Sequence, residues 1–350
     1  MKTDFLIVGQ GLAGTFLAHY LRLSGASVAV MDNGHDAGAS VEAAGLINPI
    51  TGRHYAKSWR VDELLPFAAG AYRSQEQALG RHFYHERPIV RAFFSPKESN
   101  DWWARASEPD FADYFAAPMD AGPLLSVCRT VYEYAAVRQS AQVDVRVLLE
   151  AFAAKARREG WLFSERMDYA KIIPETGGIR YGDIETGHII FCEGYGAAQN
   201  PFFRHLPMEG AKGELLIVRI PDFPEDLVLK HKIFIAPLGD GLFWAGATYD
   251  RRFPDARPTA ERATFLKAQL TEILKGHFEV LDHRAAVRPT VKDRRPLLGF
   301  HLRFPRLAIF NGLGTKGASL APFWAHHFSR VLSAGVPLDP EVDIGRFNLP

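Results

Sequence analysis

Cysteine is nearly absent from this chain. Cys128 and Cys192 are the two present among 350 residues, too few for a disulfide framework or a zinc site. A reducing compartment is expected. A dominant charge is lacking too, since 41 Lys and Arg face 40 Asp and Glu, for a net charge of +1. That balance gives no reason to expect nucleic acid or an anionic membrane as the main partner. No apolar run is long enough to span a bilayer. The N-terminus does not read as a secretory leader. Asp4 comes early, Lys2 is the sole basic residue ahead of the apolar stretch, and glycines break that stretch at a fixed spacing. A cytoplasmic protein is expected. Repeats and low-complexity tracts are also missing. What remains is an ordinary globular composition, 47% hydrophobic and 23% charged. At about 100–200 residues per domain, the length suggests two domains.

The most informative stretch lies at the start. Phe5, Leu6, Ile7 and Val8 form a short continuous apolar run, as suits a central parallel strand buried on both faces. Gly9-Gln10-Gly11-Leu12-Ala13-Gly14 follows at once and fits G-x-G-x-x-G. In that pattern Gly9 permits the tight turn and Gly11 lets backbone approach a pyrophosphate. Gly14 lets the following helix pack close to the strand. A helix is expected over Thr15–Leu23, its N-terminal N–H groups aimed at phosphate, with Gly25 as its C-cap. A second strand, Val28–Met31, then ends at Asp32, an acid placed to accept from ribose hydroxyls. The full strand, turn, helix, strand and acid context points to a dinucleotide. The motif alone does not separate NAD from FAD.

Further along, Val61–Leu79 reads as a helix and "RPIVRAFFS" as a strand. Val143–Trp161 reads as one amphipathic helix, with Val143, Val147, Leu148, Phe152 and Ala156 near one face. "HIIFCEGYG" is a buried strand entering a glycine turn, and "GELLIVRI", "KIFIAPLGDG" and "LFWAGATY" are further strands. Thr259–Phe278 is a helix, and "RLAIFNGLGTKGASLAPFWAHHFSRVLSAG" is again strand, glycine turn and helix. Nucleotide-type units thus recur at the start, middle and end, with aromatic β-rich parts between. The expected fold class is α/β, a discontinuous Rossmann-like domain with a mixed α+β substrate domain inserted in two pieces. The first domain would comprise residues 1–79, 137–205 and 286–350, and the second residues 80–136 and 206–285.

The glycine fingerprint, "ASVEAAGLINP", "AKGELLIV", "VRPTVKDRRPLLG" and "NGLGTKGASLAP" occur in that order along nearly the whole chain. Together they resemble the D-amino-acid oxidase and glycine oxidase superfamily of FAD-dependent oxidoreductases. The "LGTKG" form is also similar to the FAD oxidase domain of the bifunctional tRNA wobble-uridine modification enzymes. The resemblance is what favours FAD over NAD. It implies that Leu12, Ala13 and Gly14 lie under the pyrophosphate, and that Asp32 and Asn33 hold the adenosine ribose. Ala39 and Ser40 would meet the pyrophosphate, and Ala44, Gly45 and Leu46 the flavin end. Leu313, Gly314, Thr315, Lys316, Gly317, Ala318 and Ser319 would lie along the isoalloxazine ring. Many relatives carry Glu at the position of Asp32. Cys192-Glu193-Gly194 departs further, since relatives have Ser or Thr before the glycine. Neither cysteine falls in the last flavin-facing segment, so noncovalent FAD is expected.

A helix beginning near Gly317 would aim its positive end into the last glycine turn, and Lys316 would add a full charge there. Both would stabilise negative charge on a reduced flavin, whose redox chemistry belongs to the cofactor. By the resemblance, Arg288 pairs with a substrate carboxylate, a task that suits a planar two-pronged donor. The catalytic candidates are thus Arg288 and Lys316. Relatives that oxidise glycine or D-amino acids tend to carry a tyrosine on the substrate sheet, where this chain offers Phe234. Arg53, His54 and Lys57 either face the flavin or are solvated. His82, His85 and Glu86 are surface residues, and no metal site is expected. Of the adjacent His326 and His327, one would pack and one be solvated. Asp293-Arg294-Arg295 is expected as a turn with local ion pairs, and Trp102-Trp103 as core. The expected activity is hydride transfer from the C–N carbon of an amine or N-substituted amino acid to flavin N5. Oxygen or another acceptor would then take the electrons. The expected partner is that small-molecule substrate, with no nucleic acid and no membrane. Alternatives are oxidation of a modified nucleoside's side chain, a non-catalytic FAD-binding protein, and a nicotinamide-dependent reductase.

Overall fold

The computed structural model of the chain describes residues 1–34, 38–52, 54–118 and 121–347. Five parallel strands form the centre of the first sheet. Their spatial order is Leu162–Phe163, Val28–Met31, Lys2–Val8, Ile184–Phe191 and Leu307–Asn311. Val28–Met31 is buried throughout, and Lys2–Val8 is buried over its last four residues, as continuous Val, Ile and Leu runs require when both faces are covered. The helices Leu12–Leu23, Val145–Arg158 and Gly317–Ala334 cover one face. Ile184–Phe191 is shared. Its first half pairs antiparallel with Gly178–Tyr181, and its second half pairs parallel with Leu307–Asn311.

The first helix runs Leu12–Leu23, starting three residues ahead of the expected Thr15. Gly9 has φ +100°, and a Cβ on Gly14 would fall 1.9 Å from the Gly9 carbonyl oxygen. The helix is therefore seated directly on the strand end, a contact that only glycine allows.

A second eight-stranded sheet takes its strands from two separate regions. Its order is Glu279–Val291, Met208–Arg219, Leu242–Gly246, Phe234–Gly239, Val228–Lys230, Ile89–Phe93, Glu133–Val137 and Phe115–Pro118. All pairs are antiparallel except Val228–Lys230 with Ile89–Phe93. Leu215, Ile217 and Trp244 point toward the helices of the first sheet, and Leu216, Val218 and Ala245 pack under the helix Ala260–Ile273. The alternation follows from the period of two along a strand.

Several local expectations shift. The strand Ala141–Val143 pairs with Tyr84–Glu86, so Val143 does not belong to the helix. Asp144 caps that helix by accepting from Val147 N at 3.1 Å, and its buried face runs through Val145, Leu148, Leu149, Phe152 and Ala156. Thr259 caps the later helix, which ends at Ile273 rather than Phe278. His326 and His327 are both partly buried. His326 sits against Tyr20 and Phe67, and His327 accepts from Asp339 N. The 293–295 turn makes its main ion pair to a distant partner, since Asp293 binds Arg346 at 2.9 Å and so holds the C-terminal segment. Trp102 is fully buried, and Trp103 donates to Glu133.

Two sites show how polar groups survive inside. Pro322 has no N–H, which leaves the Ala318 carbonyl one turn earlier without its helical donor. The buried Tyr72 hydroxyl supplies one at 2.8 Å. On the far face of the second sheet, Lys212 and Glu214 pair at 3.0 Å with side chains 3% and 1% exposed. Glu214 also accepts from Thr259 N and Oγ, and Lys212 donates to the Arg257 carbonyl. Burial alone would raise the Glu214 pKa, but these donors hold it below the usual carboxylate value. Removing one partner of such a pair leaves an uncompensated buried charge. Glu214→Ala should therefore lower unfolding stability by about 3–5 kcal/mol, measured as a fall in the urea midpoint. A midpoint within error of the parent would contradict this account.

Candidate active site

A cleft of about 970 Å³ opens where the two sheets meet. Val8, Met31, Cys192 and Asn311 line it, each at or just past the end of one of four parallel strands. Open α/β sheets bind ligands outside the carboxyl ends of their strands, where carbonyls stop and helix N-termini begin.

At one end the cleft is bounded by Gly9, Gly11, Leu12 and Ala13, by Asp32 and Asn33, and by Ala39 and Ser40. Gly14 does not line it, because its place is beneath, against the Gly9 carbonyl. The first turn of the helix Leu12–Leu23 has no side-chain cap from its own N-cap residue, Gly11. Ser40 Oγ reaches over instead and accepts from Leu12 N at 3.2 Å. The Ala13 and Gly14 N–H groups of that turn have no intrahelical acceptor. Asp32 accepts from Gln10 N at 2.7 Å and Gly34 N at 2.9 Å, which fixes its carboxylate at the strand end. Ala44, Gly45 and Leu46 line the middle.

At the other end the whole run Leu313, Gly314, Thr315, Lys316, Gly317, Ala318 and Ser319 lines the cleft, where the helix Gly317–Ala334 begins. Lys316 is the N-cap and donates to Ser58 Oγ at 2.9 Å. Burial, then the Arg294 and Arg295 charges, bring its pKa down to about 8. Glu193 also borders the cleft, and its carboxylate accepts from the cleft-lining Tyr169 Oη at 2.6 Å and from Asn200 Nδ2 at 2.7 Å. Burial pushes its pKa up against the pull of those donors. Its role is to brace the turn Gly194–Gln199, whose Gly194 carbonyl accepts from Asn311 at 2.9 Å.

Arg288 enters from the second sheet, on the strand Glu279–Val291. Its guanidinium lies flat across Gly213 on the neighbouring strand and donates to the Thr248 carbonyl at 3.2 Å. The Tyr249 ring stands 5.8 Å away. No carboxylate among the described residues forms an ion pair with Arg288. Burial lowers its pKa below the usual arginine value. Phe234 and Trp244 line the same wall. Lys230 does so too, although it stands just ahead of the strand "KIFIAP", where no motif marks it. Tyr249 was missed as well, although it ends the strand-like "LFWAGATY". His54 is exposed, and Lys57 is turned to Asp62 at 2.9 Å; neither lines the cleft. Arg53 lies outside the described residues. His82 pairs with Glu76 on the surface, and no group of three or more metal-capable side chains occurs among the described residues. Nor is any described helix long and apolar enough to cross a membrane.

Residues 4–330 match the DAO family, FAD dependent oxidoreductase, and the chain belongs to that family. It is 28% identical, over 98% of its length, to the tRNA 5-methylaminomethyl-2-thiouridine biosynthesis bifunctional protein MnmC of Caulobacter vibrioides, and spans 58% of that relative. The fold is similar to that of glycine oxidase from Bacillus cereus, with a TM-score of 0.81, 19% identity and 96% of each chain covered. It is also similar to iminodiacetate oxidase from Chelativorans sp., with a TM-score of 0.78, 24% identity and coverage of 97% and 98%.

The seat of Arg288 is itself testable. A Cβ on Gly213 would come 2.0 Å from Arg288 Nη2. A crystal structure of Gly213→Ala should show the guanidinium displaced from the strand while the protein still carries FAD. An unmoved guanidinium would show that Gly213 does not create its place.

Proposed function

We propose that this FAD-dependent oxidoreductase oxidises the C–N bond of an amine or N-substituted amino acid that bears a carboxylate. The supporting observation is Arg288. It is a half-buried cation in the cleft, lacking an ion-pair partner among the described residues, and it precedes Pro289, whose carbonyl accepts from Gly314 N in the turn that leads to Lys316. A guanidinium so desolvated favours a planar anion that takes two parallel hydrogen bonds.

The cleft fits FAD. The glycine turn brings backbone N–H groups to one end, where a pyrophosphate needs them, and Asp32 is fixed at the strand end beside it. Gly9, Gly11, Leu12, Ala13, Asp32, Asn33, Ala39 and Ser40 would hold the nucleotide half. Ala44, Gly45 and Leu46, with Leu313–Ser319, would hold the flavin half. Cys192 lines the cleft, but burial pushes its thiol pKa well up, which disfavours the thiolate needed for a covalent tether. Bound FAD supplies a hydride acceptor at N5 and a route for the electron pair to oxygen or another acceptor.

The protein's own part is positioning and charge. Arg288 holds the carboxylate, and Tyr249 and Phe234 wall in the carbon chain, so that the C–H approaches in one orientation. Such fixation supplies much of the rate. Loss of hydride from carbon leaves an iminium, which water hydrolyses to a carbonyl compound and the freed amine. Lys316 and the helix start at Gly317 place positive charge beside the cofactor.

A second reading places the amine on the side chain of a modified nucleoside. The similarity to the MnmC protein favours it, and the carboxylate-binding role of Arg288 would be the same. Anaerobic bleaching of the flavin by a panel of amines, N-alkyl glycines and carboxymethylaminomethyl nucleosides separates the two. Arg288→Ala should retain FAD and lose about 1.5–3 kcal/mol of transition-state binding, roughly 10- to 150-fold in kcat/KM for carboxylate-bearing amines. Unchanged kcat/KM would remove Arg288 from the site.

A further inference from the structure

One row of the second sheet runs straight across the cleft wall. Lys230 pairs with Phe234, Phe234 with Gly246, and Gly246 with Leu215. Residues directly opposite share a face, and all four line the cleft. Lys230 is half-buried there. Its Nζ lies 4.3 Å from the Phe234 ring centroid and donates to the Lys232 carbonyl at 2.8 Å. No carboxylate among the described residues pairs with it. Its neighbours differ. Lys232 is held by both oxygens of Glu272, and Arg91, opposite Lys230 on the next strand, is laid against Tyr55 and Trp102. Burial, then the Arg91 charge, bring the Lys230 pKa down to about 7, and an arriving anion would restore the charged form.

Arg288 and Lys230 thus both line the cleft on this wall, and neither forms an ion pair with a carboxylate among the described residues. Arg288 lies over Gly213, three strands from Lys230. At about 4.8 Å per strand, and with Gly213 two residues along its strand from Leu215 in the Lys230 row, that is roughly 16 Å between backbone positions. Both side chains lean inward, Arg288 to the Thr248 carbonyl and Lys230 over Phe234. The charged groups are then on the order of 10 Å apart, with the apolar surfaces of Phe234 and Trp244 on the same wall. We infer that Lys230 forms a second anion subsite, and that the substrate is an amine carrying two anionic groups separated by an extended chain. Arg288 takes the carboxylate next to the reacting carbon, and Lys230 takes a carboxylate or phosphate at the far end. A lysine suits either, being a point charge without the fixed fork of arginine. This rests on the carboxylate role proposed for Arg288.

Calorimetric titration of the FAD-loaded protein tests the subsite without turnover. The ligands are straight-chain dicarboxylates of increasing length, ω-phosphonocarboxylates, and monocarboxylates of matching length. The expected result is tenfold or tighter binding of one dianion length over its monoanion. Tighter binding of the phosphono or the carboxy series tells which anion is preferred. Lys230→Met should erase the dianion advantage, Lys230→Arg should keep it, and Arg288→Ala should weaken both series. The absence of an advantage at any length, or an advantage that survives Lys230→Met, would overturn the subsite. Failure of the C–N oxidation reading would look different. The dianion preference would stand, while no amine, dianionic ones included, bleached the flavin anaerobically.

Discussion

The contact between Gly14 and the Gly9 carbonyl sets the geometry on which the cleft depends. A helix pressed that close to the end of its strand has its first-turn N–H groups at the carboxyl edge of the sheet. A side chain at Gly14 would have to move its Cβ from 1.9 Å to beyond 3.0 Å from the Gly9 carbonyl oxygen, shifting the helix and carrying those donors with it. The far end uses the same device in a second form. The strand Leu307–Asn311 delivers the chain to a glycine turn, and the helix Gly317–Ala334 starts with Lys316 as its N-cap. The two helices pack on each other across the sheet face, so the two turns are held in a fixed relation along one cleft.

The second sheet supplies what the first cannot, a wall with its own chemistry. Its inner face alternates apolar residues with a few cations, while the acids that might neutralise them are engaged elsewhere. Glu214, one residue from Gly213, points to the opposite face and pairs with Lys212. Glu42 binds Arg146 and Arg284, and Glu193 binds Tyr169 and Asn200. The Lys212 and Glu214 backbones also bond to Asp250 and Thr248, so the buried pair anchors the segment that presents the Thr248 carbonyl to Arg288. Stability on one face of this sheet is thus coupled to side-chain placement on the other.

Much of this was legible along the chain, where the physics is local. The strand, glycine turn and helix at each end could be read because glycine spacing and apolar runs act over a few residues. The cleft-lining stretches from Gly9 to Leu46 and from Leu313 to Ser319 came from those runs and from the family resemblance. Reading failed where partners are distant in sequence. Val143 has the apolar character of a helix face, but it is taken by a strand partner at Tyr84. Asp293 finds Arg346 rather than its neighbours. His326 and His327 both pack, because separate elements close over the two sides of their helix.

The sequence by itself determined the backbone devices: where a turn must be glycine, where a strand must be buried on both faces, and where a helix must start. Only the tertiary structure decided which charges would be unpaired. Glu193, which stands where relatives have Ser or Thr, is held by Tyr169 and Asn200, while Lys230 lines the cleft with no ion pair among the described residues. The reason is physical. Whether a side chain is neutralised depends on what stands within a few ångströms of its charged atoms, and in this fold those neighbours come from strands far apart in the chain.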